Sequence, residues 1–427
     1  MLKKLTNFLS HPTSTAVIIN TVGNYLNVFF SAFFVILLVR LLSRAEYGVF
    51  SVLLGITFVL ANMLDFGITA SIYSYLPLMI EKNTANAYRF IKSTFFFQTL
   101  FSVIVVAILM VIFPTLDRIF FKTSAPLTTL WVTAVAVLFF IWQNYLSNCL
   151  YVAKRVLQVN LYTLYANIVK TIAVLLLAWS GHITVGIVIF TFGIVGPVVF
   201  FLFVYSSKKN HMGAVMRAPL TFHDLRVQYT LTYFVASQFF NLGQRMDLFL
   251  MSYFRPKFEV GYYGLAQKII LTIITTIVSI TQVISPNFAR VKTKRDFTPQ
   301  LRSALTYMLI PTAIFLAVLV TPTWIFTLIL TTKFTRTADL SRWMSLVYIP
   351  YSFISLFHLF LLYVVKKPIY ILYANLLLFG IITGGCYLSI PRYGAMGAIW
   401  SLGAAFIAAS ALLVILSLKE YRKLPAA

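Results

Sequence analysis

The chain has 427 residues, 60% of them hydrophobic and only 10% charged. A soluble domain carries about 25% charged residues, so this composition excludes an ordinary soluble enzyme, a disordered protein and a small disulfide scaffold built on two cysteines. The net charge of +24 does not indicate nucleic acid, because the lysines and arginines sit in short gaps between apolar runs, the pattern that orients a multi-spanning membrane protein.

A membrane-crossing helix needs about 20 mostly apolar residues. Twelve segments meet this, near 15–41, 47–76, 89–113, 127–150, 157–179, 183–205, 228–253, 262–286, 302–321, 341–364, 370–389 and 395–417. The first follows Lys3 and Lys4, yet it is too long for a signal-peptide core and is kept as a span. With the N-terminus in the cytoplasm, the inner gaps hold 21 Lys and Arg, the outer gaps 10, and three lie within spans. That excess places both termini inside. Cys149 and Cys386 fall in apolar stretches and read as buried thiols.

The chain is duplicated. Glu46-Tyr47-Gly48-Val49-Phe50 after the first span returns as Glu259-Val260-Gly261-Tyr262-Tyr263 after the seventh, 213 residues later. Leu150-Tyr151-Val152-Ala153-Lys154-Arg155 returns as Leu362-Tyr363-Val364-Val365-Lys366-Lys367, and Leu164-Tyr165-Ala166-Asn167 as Leu372-Tyr373-Ala374-Asn375. The expected architecture is an all-α polytopic membrane protein. Two parallel six-helix lobes, 1–205 and 228–427, enclose a central cavity. The 206–227 gap joins them, with Lys208, Lys209, His211, Arg217, Pro219 and Asp224. It reads as an amphipathic segment against anionic headgroups or as a plain solvated loop.

Polar groups inside spans usually face a bundle interior or a water-filled cavity. The first span carries Asn20, Asn24, Asn27 and Ser31 at helical spacing; the fifth carries Asn160, Thr163, Asn167, Lys170 and Thr171; the seventh carries Gln238, Asn241 and Arg245. These stripes read as cavity lining, or as interhelical hydrogen bonds within each lobe. Five charges lie within spans: Lys170, Arg245, Lys268, Asp65 and Asp247. Arg245 and Asp247 are two residues apart and should face different sides of one helix. Asp247 is expected to pair with Lys268 on the next span. Pro197, Pro311 and Pro350 would bend their helices. No P-loop, metal-spaced His/Cys cluster or catalytic triad context is present. His358 reads as a packing residue or a proton relay.

Arg40-Leu41-Leu42-Ser43-Arg44-Ala45-Glu46-Tyr47-Gly48-Val49-Phe50, Asp65-Phe66-Gly67, and Arg245-x-Asp247 with Glu259-Val260-Gly261-Tyr262-Tyr263-Gly264-Leu265-Ala266 together resemble the polysaccharide-exporter family that contains the Wzx-type O-antigen flippases. The resemblance implies a multidrug/oligosaccharidyl-lipid/polysaccharide exporter in the bacterial cytoplasmic (inner) membrane. It implies a flippase, not an enzyme, that moves an undecaprenyl-pyrophosphate-linked oligosaccharide from the cytoplasmic to the periplasmic leaflet. Ion-coupled alternating access, with a proton or sodium ion and no other cofactor, goes with it. The partners implied are the lipid-linked oligosaccharide, bilayer lipids, a polysaccharide polymerase and a chain-length regulator, and no nucleic acid. Related lipid II flippases carry arginines near the inner ends of their first helices, where this chain has asparagines. On this reading Lys170, Arg245 and Lys268 hold the pyrophosphate, Asn27, Asn167 and Asn241 meet sugar, and Asp247 and Asp65 bind the coupling ion. The alternatives are a small-molecule antiporter of the multidrug and toxin type and a membrane polysaccharide polymerase.

Overall fold

The computed structural model describes residues 12–221, 227–289, 291, 293–365, 367 and 369–425. Those residues form helices throughout, without strands. In chain order they are α1 (Pro12–Leu41), α2 (Arg44–Met63), α3 (Ile68–Lys82), α4 (Thr84–Leu116), α5 (Leu127–Val152), α6 (Val156–Trp179), α7 (Val185–Phe190) and α8 (Gly196–Ser206). A short α9 (Met212–Arg217) follows, then α10 (Val227–Phe254), α11 (Lys257–Ala289), α12 (Lys294–Val320), α13 (Thr323–Leu330), α14 (Thr335–Leu359), α15 (Ile369–Tyr393) and α16 (Ala395–Lys423). Helix covers the expected spans, the second of them with a break. Among the described residues, ten helical stretches are long and apolar enough to cross a membrane.

Helix boundaries follow local chemistry. The Asn83 side chain accepts from the Ala85 and Asn86 amides and starts α4; Thr184 does the same for α7 through Ile187. Thr293 and Asp296 make a reciprocal capping box at α12, satisfying amides that helix geometry leaves open. Pro311 and Pro350 lie inside α12 and α14. Pro197 lies in the continuous helical stretch Val185–Ser206, just after the π-helical turn Thr191–Val195. Prolines and π turns are both recognised causes of helix kinks. Further π turns close α4 (Asp117–Phe121) and α14 (Phe360–Val364).

The second expected span is broken. Between α2 and α3, Phe66 (φ 50°) and Gly67 (φ 75°) take left-handed backbone, which glycine adopts freely and phenylalanine does not. Asp65-Phe66-Gly67 is thus a hinge between two helices.

The chain divides into two compact units. Unit 1 holds the chain up to Leu42, Leu53–Asp117 and Ser124–Val235; unit 2 holds Ser43–Val52, Arg118–Thr123 and the chain from Ala236. Both free cysteines are buried, Cys149 in unit 1 and Cys386 in unit 2. In unit 1 a core of Ile72, Leu76, Phe90, Tyr145, Phe200 and Val204 joins α3, α4, α5 and α8. The Tyr145 hydroxyl, buried among them, meets the Ile91 carbonyl and the Thr94 hydroxyl, each at 2.7 Å.

In unit 2 the first two turns of α2 pack against the start of α11. A Cβ added to Gly48 would strike the Lys257 carbonyl and stand 2.9 Å from the Gly261 nitrogen. One added to Gly261 would strike the Arg44 carbonyl and stand 3.2 Å from the Gly48 nitrogen. The two copies of the repeated motif therefore touch backbone to backbone, an approach that only glycine permits. Arg44 donates to the Tyr262 hydroxyl at 2.6 Å. Nearby, the Lys257 ammonium donates to the carbonyls of Phe121 (2.7 Å) and Ser252 (2.6 Å), fixing the Arg118–Thr123 segment in the same unit.

Candidate functional site

Unit 2 carries a charged cluster built from two neighbouring helices. Asp247 on α10 is 1% exposed. Its Oδ1 accepts from the Leu248 amide (2.7 Å), its Oδ2 from the Tyr263 hydroxyl (2.5 Å), and both oxygens from the Gln267 amide at 3.0 and 2.9 Å. Tyr263 and Gln267 stand one turn apart on α11, the spacing that puts two side chains on one face. The carbonyl oxygen of Gln267 accepts from Arg245 Nη1 at 2.6 Å. The amide is thus oriented by its surroundings: its oxygen meets the cation and its NH2 meets the anion.

This differs from the sequence reading in two ways. Asp247 does not pair with Lys268; its oxygens are already taken by Tyr263, Gln267 and the Leu248 amide. Arg245 and Asp247, expected on different sides of α10, both reach Gln267, because the guanidinium ends a long flexible stem. Gln267 and Tyr263 were not singled out as site residues. The signal was present: Tyr263 ends the second copy of the repeated motif, and Gln267 is a polar residue within an apolar span beside Lys268.

Two features of the cluster matter chemically. A guanidinium has five N–H donors, and among the described residues Arg245 uses one hydrogen bond, to Gln267. Lys268 is half-buried on α11 and in electrostatic range of Arg245, and its ammonium makes no hydrogen bond or ion pair among the described residues. With Asp247 balancing one cation, the cluster keeps a net positive charge and unspent donors, the requirement for holding an oxyanion. Asn241 lies half-buried one turn before Arg245 on α10.

Unit 1 holds the other expected residues. The Lys170 ammonium lies 4.4 Å from the Phe192 ring centroid, a cation–π distance, with its stem against Gly196. Asn167, one turn earlier on α6, donates to Asn27 of α1 at 3.3 Å. That pair is an interhelical hydrogen bond within the unit. The side chains of Asn20 and Asn24 lie outside the described residues.

Asp65 staples the hinge of unit 1. Its carboxylate accepts from the Thr69 amide (3.2 Å) and hydroxyl (2.7 Å). Asn148 donates to the same hydroxyl oxygen at 3.0 Å, and Gln98 lies 3.5 Å from the Leu64 and Asp65 carbonyls.

Comparison with known proteins gives three findings. The family described as "Polysaccharide biosynthesis protein" matches residues 37–347. No curated protein matches the chain. Solved structures match over nearly its whole length. The lipid II flippase MurJ, in an inward closed conformation, is 15% identical, with a TM-score of 0.74 over 93% of this chain and 87% of that one. An inward-facing multidrug resistance MATE transporter of the MOP superfamily is 12% identical, with a TM-score of 0.69 over 95% of each chain. A MOP superfamily transporter from Pyrococcus furiosus, described as having a binding pocket of reversed polarity, is 12% identical, with a TM-score of 0.62 over 95% and 93%. At these identities the likeness is one of fold.

Proposed function

Since the chain belongs to the polysaccharide biosynthesis protein family, we propose that it is a flippase for a prenyl-diphosphate-linked oligosaccharide. The substrate is an undecaprenyl-pyrophosphate-linked unit such as an O-antigen repeat. It moves from the cytoplasmic to the periplasmic leaflet of a bacterial inner membrane, through a protein of twelve spans with both termini cytoplasmic. The observation that carries this reading is the pairing of Arg245, with most of its donors unspent, and Lys268, without an acidic partner among the described residues. A diphosphate loses many kcal/mol of hydration in hydrocarbon, and two such cations replace that hydration. Lys170 adds a cation in unit 1. Asn27, Asn167 and Asn241 supply the amide donors and acceptors that sugar hydroxyls use.

Asp247 suits ion coupling because it controls Gln267. As a carboxylate it only accepts; with a proton one oxygen becomes a donor, so either the Tyr263 hydroxyl turns to accept or the Gln267 NH2 gives way, and the latter loosens the hold on Arg245. Asp65 is the second candidate, because a proton or sodium ion there competes with Thr69 for the carboxylate. An antiporter for cationic drugs, a reading that the MATE-like fold invites, fits a net positive cluster poorly.

The test is loss of surface polysaccharide. Lys268→Ala is expected to abolish it while the protein accumulates normally in the membrane; Arg245→Ala is expected to abolish it as well, with less protein, because it breaks the buried set with Gln267 and Asp247. Normal polysaccharide in both variants would overturn the diphosphate role.

A further inference from the structure

We propose that one end of unit 1 is a docking surface for the headgroups of anionic phospholipids. Helices α4 and α6 begin at this end, and α5 and α8 finish there. The segment after α8 is not a free loop. Lys92 of α4 donates to the Met216 and Ala218 carbonyls at 2.7 and 2.6 Å, and Ser93 accepts from the Thr221 amide at 2.9 Å. Arg155, at the start of α6, donates to Asn210 at 2.7 Å, and Asn210 donates in turn to the Val204 carbonyl at 2.8 Å. Three stretches far apart in sequence, 83–98, 150–160 and 204–221, are thereby tied into one surface.

Among the described residues, none of these three stretches includes Asp or Glu. Lys154, Lys208, Lys209 and Arg217 are all exposed, and among the described residues none of their side chains makes a hydrogen bond or ion pair. In unit 2, by contrast, Glu420 takes both Lys367 at 3.1 Å and Lys423 at 2.9 Å. Cations needed only to orient the chain would tolerate such neutralisation; the four in unit 1 are left open.

Large apolar groups stand among these charges. Tyr205 is 67%, Met216 62% and Leu220 43% exposed. Exposed cations beside exposed apolar side chains match the boundary between phosphodiester headgroups and acyl chains. A free phosphate would have no use for the apolar groups. A bulk anionic glycerophospholipid uses both, and that is the occupant assigned here.

The full-length protein is reconstituted in mixed bilayers, and the lipid selectivity of its boundary layer is read by spin-label resonance with labelled phosphatidylglycerol and phosphatidylcholine. The wild type is expected to prefer phosphatidylglycerol several-fold at low salt, with the preference fading as salt rises. The variant Lys154→Gln/Lys208→Gln/Lys209→Gln/Arg217→Gln is expected to lower it to near unity, since the basic groups that attract an anionic headgroup are then gone. A control variant, Arg336→Gln/Lys419→Gln, with both changes in unit 2, is expected to keep it. Unchanged selectivity in the quadruple variant would overturn the proposal. So would a variant that keeps its phosphatidylglycerol preference but loses binding of undecaprenyl diphosphate, which would assign the surface to a transported lipid.

Discussion

Replacing Gln267 by Leu removes the side chain that, among the described residues, bridges Arg245 and Asp247. The change nearly conserves volume, so cavity formation contributes little. What is lost is a 2.6 Å bond from a guanidinium and a pair of contacts at 2.9 and 3.0 Å to a carboxylate. Hydrogen bonds to charged groups are worth about 1.5–3 kcal/mol each, and breaking a buried ionic set by removing one member costs about 3–5 kcal/mol. The average polar contact between membrane helices is worth only about 0.6 kcal/mol, because the unfolded state in the membrane also finds partners. A loss near 3 kcal/mol is expected on balance, read as the apparent unfolding free energy in mixed detergent micelles. The triple variant Arg245→Met/Asp247→Leu/Gln267→Leu sharpens the test: replacing a whole buried ionic set by apolar groups is often neutral, so it should recover most of the stability while remaining unable to export polysaccharide. A Gln267→Leu protein within about 0.5 kcal/mol of wild type would refute the bridging role.

Alanine at Gly48 or Gly261 places a methyl against a backbone carbonyl that cannot rotate away; a drop of at least about 3 kcal/mol is expected, seen as aggregation or a lowered melting point on size exclusion, and a monodisperse protein of wild-type melting point would contradict the close approach. Asp65→Ala should cost about 1 kcal/mol through the lost cap on the Thr69 amide, while Asp65→Asn, which still accepts, should cost less; equal losses on thermal melting would remove the capping role. Lys92→Met frees the Met216 and Ala218 carbonyls and is expected to speed tryptic cleavage after Lys208, Lys209 and Arg217 several-fold, whereas an unchanged rate would show that the segment is held by other means.

Much of this molecule was readable from its residue order. Apolar runs of span length mark helices because a bilayer leaves the backbone no other partner, and the repeat was visible as matched motifs. The hinge at Asp65-Phe66-Gly67 was not: hydropathy continues through it, and only the left-handed backbone reveals the break. The partner of Asp247 was misjudged because opposite charges on neighbouring spans invite pairing, whereas a neutral amide at the right height satisfies the carboxylate and the guanidinium together. Asn27 and Asn167 were readable as polar faces, but whether such faces meet water or each other depends on which helices lie side by side, and periodicity does not record that.

The contact between Gly48 and Gly261 has a reciprocal form. Each glycine lies over the carbonyl of the residue four places before the other, Lys257 in one direction and Arg44 in the other. In an assembly of identical chains this would be an isologous patch, self-complementary about a dyad. A half-length ancestor with the same motif would thus already possess a means of self-association, and fusion of the two copies would preserve it. A side chain introduced at either glycine therefore disturbs both copies of the motif at once.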